Sequence, residues 1–254
     1  MPNITKSAMI TICGRPNVGK STLTNRLVGE KIAIVSDKPQ TTRNRISAVL
    51  NLDDTQLVIM DTPGIHRART RLGDYMVKVV KESITDVDAA VMLVEPIANI
   101  GVQERELLES LKKSGVPTIL AINKIDTVPK ETLLAVIACY AEAHNFAAVI
   151  PISAINGDGV ALLLEEMKKY AVPGPQLFPD DMITDQPEKQ ICAEIVREKL
   201  LICLDKEIPH GTAVEVTRFS ERDNGIIDLD VTIYCEKASH KGIIIGKQGA
   251  MLKK

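Results

Sequence analysis

The chain has 254 residues, 45% of them apolar and 25% charged, with a formal net charge of −2. That length suits one large domain or two ordinary ones with a full core, and the near-neutral balance excludes a uniformly basic protein that coats nucleic acid, though not a local basic patch. The N-terminus lacks a signal-peptide stretch, no run approaches the roughly 18 apolar residues of a membrane span, and five cysteines (Cys13, Cys139, Cys192, Cys203, Cys235) without CxxC pairing read as reduced thiols of a cytoplasmic protein.

Short apolar runs alternate with amphipathic stretches from Met9 to Tyr170. The run Met9–Cys13 predicts a buried strand and Lys20–Val28 a helix behind it. Ile46–Asn51 and Gln56–Asp61 flank Asp53-Asp54 and predict a hairpin. A helix near Leu72–Ser83 follows, then the strand Ala89–Glu95, a helix near Gln103–Lys113 and the strand Thr118–Asn123. A helix near Glu131–His144, the strand Ala148–Ser153 and a helix at Val160–Tyr170 close the series. Strand-helix alternation of this kind makes an α/β fold: a mostly parallel six-stranded sheet flanked by helices, with the hairpin as its antiparallel pair. Pro173, Pro175, Pro179 and Pro187 then mark an extended linker, because proline fixes φ and lacks an N–H. Beyond it, Gln190–Leu204 predicts a helix, and Thr212–Phe219 and Ile226–Cys235 predict paired strands around the turn signal Asn224-Gly225. A basic helix at Lys237–Ile245 runs into Gly246-Lys247-Gln248-Gly249. The expected division is residues 1–171 as a nucleotide-binding domain, 172–187 as linker and 188–254 as a smaller α+β domain.

Three motifs fall at the carboxyl ends of predicted strands. Gly14-Arg15-Pro16-Asn17-Val18-Gly19-Lys20-Ser21 matches GxxxxGK[ST] between a strand and a helix, the context that gives the match meaning. Its glycines let successive backbone N–H groups face anionic oxygens, and the helix start at Lys20-Ser21-Thr22 adds its positive end. Lys20 is expected to reach the β- and γ-phosphates and Ser21 to ligate magnesium. In Asp61-Thr62-Pro63-Gly64, Asp61 supplies a magnesium-side carboxylate facing Ser21, and Gly64 brings a bare backbone N–H to the γ-phosphate. Asn123-Lys124-Ile125-Asp126 selects the base. A carboxylate at Asp126 accepts from both N1–H and the 2-amino group of guanine, whereas adenine offers no such pair. Asn123 bridges base and P-loop, the stem of Lys124 covers the ring, and Ser153-Ala154 offers a backbone N–H to guanine O6.

Between the first helix and the hairpin, the loop Asp37-Lys38-Pro39-Gln40-Thr41-Thr42-Arg43 needs one hydroxyl that completes the magnesium shell and senses the γ-phosphate; Thr42 is the first choice and Thr41 the alternative. Ile65 stands after Gly64, where many GTPases carry a water-orienting glutamine. Hydrolysis is therefore either very slow or assisted by another group. His66 is one candidate. Asn17 is the other: its side-chain oxygen is suited to holding a monovalent cation against the phosphates, or else it only shapes the loop.

GRPNVGKSTLTNRLVGEKIAIVSDKPQTTRNR, DTPGIH, NKID, PISA and the stretch LFPDDMITDQPE with EIVREKL together resemble the Era family of bacterial GTPases, from Ile10 to Gln248. The resemblance implies nucleotide binding at Asn17–Thr22, Thr42, Asn123, Lys124, Asp126 and Ser153–Ala154. It also implies magnesium-dependent, potassium-stimulated hydrolysis of GTP to GDP. It implies, too, a C-terminal KH domain that binds the 3′ region of 16S rRNA during assembly of the 30S subunit. Residue chemistry agrees: Gly246–Gly249 is a GxxG turn suited to clamping a nucleic-acid backbone, and the lysines at 237, 241, 247, 253 and 254 form a basic patch with no acid among them. Lys241, Gly246, Lys247, Gln248 and Gly249 are the expected RNA contacts. A family member is expected to continue past Met251-Leu252-Lys253-Lys254 with a helix and a strand, so the second domain reads as truncated. A monomer is expected, and peripheral association with the inner face of the cell membrane is allowed. The competing readings are a P-loop kinase or ATPase, an RNA chaperone with a structural nucleotide, and a GTPase of tRNA modification or membrane signalling.

Overall fold

The computed structural model describes residues 4–38, 41–43, 45–62, 64, 83–84, 86–205 and 208–253. The expected helix near Leu72–Ser83, apart from Ser83 itself, lies outside the described residues, as do Ile65 and His66. Two compact units are present. One takes the described residues within Met1–Ala33 and Thr42–Asp185, the other those within Ile34–Thr41 and Gln186–Lys254.

In the first unit, β1 (Lys6–Cys13), α1 (Lys20–Val28), β2 (Ile46–Leu52), β3 (Thr55–Asp61) and β4 (Ala89–Val94) are followed by α2 (Val102–Ser114), β5 (Thr118–Ile122), α3 (Lys130–Ala143), β6 (Ala148–Pro151), α4 (Val160–Lys168) and β7 (Val172–Pro173). The sheet runs β2-β3-β1-β4-β5-β6. Only β2 with β3, and the two-residue β7 with β1, are antiparallel. The six expected strands form the main path, and β7 is an addition that Val172-Pro173 was too short to signal.

Apolar side chains alternate between the two faces, as a period of two requires. Val91 and Leu93 of β4 join Ile10, Ile12, Leu57, Ile59, Leu23 and Leu163 on one face. Ala90, Met92 and Val94 join Leu107, Leu111, Leu120, Val136 and Tyr140 on the other. Both faces of β1, β4 and β5 are thus buried, which explains their nearly unbroken apolar sequences. After β1 the chain turns to one side of the sheet for β2 and β3, then crosses to β4 on the other. That reversal opens a crevice at the carboxyl ends of β1 and β4, where ligands of such sheets bind.

The proline-rich stretch is extended and hydrogen-bonded to the sheet. Buried Gln56 holds it: Oε1 accepts from the N–H groups of Leu177 (2.8 Å) and Phe178 (2.9 Å), and Nε2 donates to the Phe178 carbonyl (2.9 Å). Val49 N–H donates to the Ile183 carbonyl, and Ala48 pairs with Thr184 as an isolated bridge. The stretch so covers the free edge of β2, which would otherwise expose a row of unpaired amides.

In the second unit, α5 (Glu188–Cys203) precedes the hairpin of β8 (Thr212–Glu221) and β9 (Ile227–Cys235), then α6 (Ala238–Ile245). Gly225, at φ 77, makes the hairpin turn that Asn224-Gly225 announced. Leu200, Leu204 and Ile244 form a small core with Ile208, Val214, Ile233, Cys235 and Met251 packed on it.

Candidate functional site

The loop after β1 is shaped by left-handed backbone at Asn17 (φ 64) and Gly19 (φ 98). Asparagine tolerates that region better than most residues. At Gly19 a side chain is excluded outright, since a Cβ would lie 2.3 Å from Asn123 Nδ2. Helix α1 begins at Lys20 without a side-chain cap, so its first N–H groups are left for a ligand at the positive end of the helix. Lys20 folds back over the loop, with Nζ donating to the carbonyls of Gly14 (3.2 Å) and Arg15 (2.8 Å). Burial pushes its amine down to about 8, against the pull of Asp61 and Cys13. Gly64 packs so closely on the loop that a Cβ there would meet Pro16 Cα at 2.7 Å.

Three oxygens gather beside Lys20. Ser21 Oγ donates to Asp61 Oδ2 at 2.8 Å, and Ser21 Oγ and Thr42 Oγ1 share a hydrogen bond of 2.9 Å. Because the Ser21 proton is committed to Asp61, Thr42 is the donor of that second bond. Asp61 Oδ1 is buried without a hydrogen-bond partner. Burial raises the Asp61 carboxyl to about 6, with Lys20 and the Ser21 hydroxyl pulling the other way. An orphaned carboxylate oxygen next to two hydroxyls fits a hard divalent cation. The 2.9 Å between the hydroxyl oxygens is close to the edge of an octahedral shell with bonds of about 2.1 Å, as magnesium demands. Thr41, the alternative, turns its hydroxyl away to the Lys38 carbonyl at 2.6 Å.

The base side is braced by Asn123, 3% exposed at the end of β5. Its Nδ2 donates to the Val18 carbonyl at 2.7 Å and its Oδ1 accepts from Ala154 N–H at 2.9 Å. One side chain therefore ties the P-loop to the loop after β6. The Ala154 N–H, expected to be offered to guanine O6, is given to Asn123 here instead. That bond supplies the donor that a buried amide oxygen requires. Asp126 is exposed and takes a 2.6 Å hydrogen bond from Ser153 Oγ at Oδ1.

Four contacts of charged side chains were missed from the sequence. Glu95, just past β4, pairs with Lys124 Nζ at 2.6 Å and with Arg15 at 3.4 Å. Arg15 pairs in turn with buried Glu104 at 2.9 Å. Arg26 Nε donates to the Ala154 carbonyl at 3.1 Å. A carboxylate directly after an all-apolar strand at the crevice was the signal available for Glu95.

In the second unit, Lys241, Lys247 and Gln248 are exposed and Gly246 and Gly249 half-buried. Gly246 (φ 71), Gln248 (φ 54) and Gly249 (φ 77) all adopt left-handed φ. At Gly246 a Cβ would lie 2.8 Å from Met251 N. The loop is thus a tight backbone feature with basic side chains around it.

Comparison with known proteins gives a consistent picture. Residues 9–124 match the family described as a 50S ribosome-binding GTPase, and residues 207–254 match the KH domain. GTPase Era of Ruminiclostridium cellulolyticum is 53% identical over 249 residues, covering 98% of this chain and 84% of that protein. GTPase Era of Clostridium kluyveri is 52% identical over 98% of this chain and 85% of its own length. Among solved structures, Era in complex with MgGDPNP and nucleotides 1506-1542 of 16S ribosomal RNA superposes with a TM-score of 0.93 at 35% identity, covering 98% of this chain and 85% of that one. A variant of Aquifex aeolicus Era bound to GDP and aluminium fluoride superposes with a TM-score of 0.92, again at 35% identity, covering 98% of this chain and 85% of that one.

Proposed function

The chain belongs to the Era family of GTPases, and from that membership we propose that it is a magnesium-dependent GTP switch that binds the 3′ region of 16S rRNA in assembly of the 30S subunit. The observation that carries the nucleotide half is the cluster of Ser21, Asp61 and Thr42 oxygens beside Lys20. Ser21 and Thr42 would hold the cation directly, with Asp61 behind Ser21. Bound there, magnesium neutralises charge on the phosphate oxygens. Lys20 sets its cation against the same oxygens, and the free N–H groups at the start of α1 complete an anion cradle. Asp126, steadied by Ser153, accepts from the guanine edge, and Lys124 covers the ring with its stem.

Ile65 cannot orient water. Asn17, exposed at the crest of the loop, supplies an oxygen for a potassium ion in place of that missing group. For the second unit, Gly246–Gly249 clamps a single-stranded backbone while Lys241 and Lys247 neutralise its phosphates. The protein acts in the cytoplasm as a monomer.

A titration of a labelled 3′-terminal 16S rRNA fragment against the chain loaded with magnesium and GDPNP tests this reading. Saturable binding that a shuffled fragment fails to compete is expected. Equal competition by both RNAs would contradict it.

A further inference from the structure

The described residues within Ile34–Thr41 fold as part of the second unit, although in sequence they lead from α1 into β2. Three bonds tie them to α5 and its cap. Glu198 Oε1 accepts from the Val35 N–H at 2.9 Å. Lys38 Nζ donates to the carbonyl of Leu204, the C-cap of α5, where a cation meets the negative end of the helix. Arg197 donates from its guanidinium to the carbonyl of Thr41.

Two of the charged residues on α5 are unusual in their burial: Arg197 is 3% exposed and Glu198 4%. A buried charge is costly unless it is paired and hydrogen-bonded. On Arg197 the bonds are made by Nε and one terminal nitrogen, with Nη1 buried without a hydrogen-bond partner among the described residues. Arg197 is braced by Glu194, which accepts from Nε at 2.9 Å and again from the same terminal nitrogen that reaches Thr41. The guanidinium is thus held in one orientation before it meets the segment. The residue covalently next to that carbonyl is Thr42, whose hydroxyl bonds to Ser21 at 2.9 Å.

We propose that Arg197 is a positioning residue for the switch. By fixing the Thr41 carbonyl it presents the Thr42 hydroxyl to the magnesium of a nucleoside triphosphate, so that α5 senses the third phosphate. The inference rests on the reading of Thr42 as a magnesium ligand. Coupling of this kind is reciprocal: what the segment gains from the γ-phosphate, α5 gains through Arg197. GDP, which lacks that phosphate, makes no use of the clamp.

The test uses the full chain and two nucleotides. In Arg197→Ala, the Kd for magnesium-GDPNP is expected to rise about ten-fold, within the ordinary range of coupling, while that for GDP changes less than about two-fold. Arg197→Lys, which keeps a cation but loses the fork, recovers part of the loss. In hydrogen exchange, GDPNP is expected to protect α5 amides beyond GDP in the wild type and not in Arg197→Ala. Where Arg197→Ala fails to fold, Lys38→Met carries the same prediction at about three-fold, since it breaks the clamp from the half-exposed segment. Loss of GDP and GDPNP affinity in equal measure, or of neither, overturns the proposal. A wild type that binds neither nucleotide overturns instead the GTPase reading on which it rests.

Discussion

The nucleotide pocket and the Gly246–Gly249 loop differ in what holds their shape. The pocket is tied by buried side chains across long sequence separations: Asn123 to Val18, Asn123 to Ala154, Ser21 to Asp61. The loop is shaped by its own backbone, through left-handed φ at three of its four residues and the hydrogen bond from Met251 N–H to the Ile245 carbonyl. The first construction fixes atoms to recognise one base and one phosphate chain. The second presents a smooth, basic surface, which suits a ligand recognised through its backbone. Single substitutions should therefore be severe in the pocket and graded in the loop.

Asn123→Ala is expected to have the largest effect. It orphans both the Val18 carbonyl and the Ala154 N–H, each at about 1–3 kcal/mol, and guanine nucleotide affinity should fall on the order of 100-fold in a fluorescent GDP titration. A loss under three-fold would mean that the two loops hold their positions without this brace.

Asp61 comes next, and its effect is visible without ligand. Burial raises its carboxyl to about 6 in the folded chain, above its unfolded value. Between the two values the folded state carries more of the proton, so stability rises as pH falls through 6. Relative to Asp61→Asn, the nucleotide-free wild type should gain on the order of 1–3 kcal/mol in urea melts between pH 7.5 and pH 5. Parallel pH profiles for the two proteins would show that Asp61 is not strained by burial.

The loop should respond least. Lys247→Ala is expected to weaken binding of the 16S fragment by about 3–5-fold and to lower the salt slope by roughly 0.7, one phosphate contact on a single strand. A loss of 100-fold would place the loop with the pocket, as a site fixed by individual side chains.

The same contrast explains what could be read from the sequence. The P-loop, Asp61 and the stretch from Asn123 to Asp126 stood out in the sequence because each ends or directly follows a strand, where local pattern and chemistry coincide. So were the strands whose two faces are buried, β1, β4 and β5. Glu95 was not, because its role depends on Arg15 and Lys124 converging from other elements. Nor was Gln56, an ordinary polar residue of a strand that proves to anchor Leu177 and Phe178. β1 begins at Lys6 rather than Met9, since pairing with β3 and β7 extends it beyond its apolar run. Which of Thr41 and Thr42 turns its hydroxyl toward Ser21 is a matter of direction, which adjacent identical residues cannot disclose.

The measurement that tests the account most directly is single-turnover phosphate release from GTP with magnesium, in potassium and in sodium, for the wild type and Asn17→Ala. Release in the wild type, faster in potassium, with that advantage gone in Asn17→Ala, is the predicted result. Absence of phosphate release in either salt would contradict the assignment of Lys20, Ser21, Thr42 and Asp61 to a hydrolytic site.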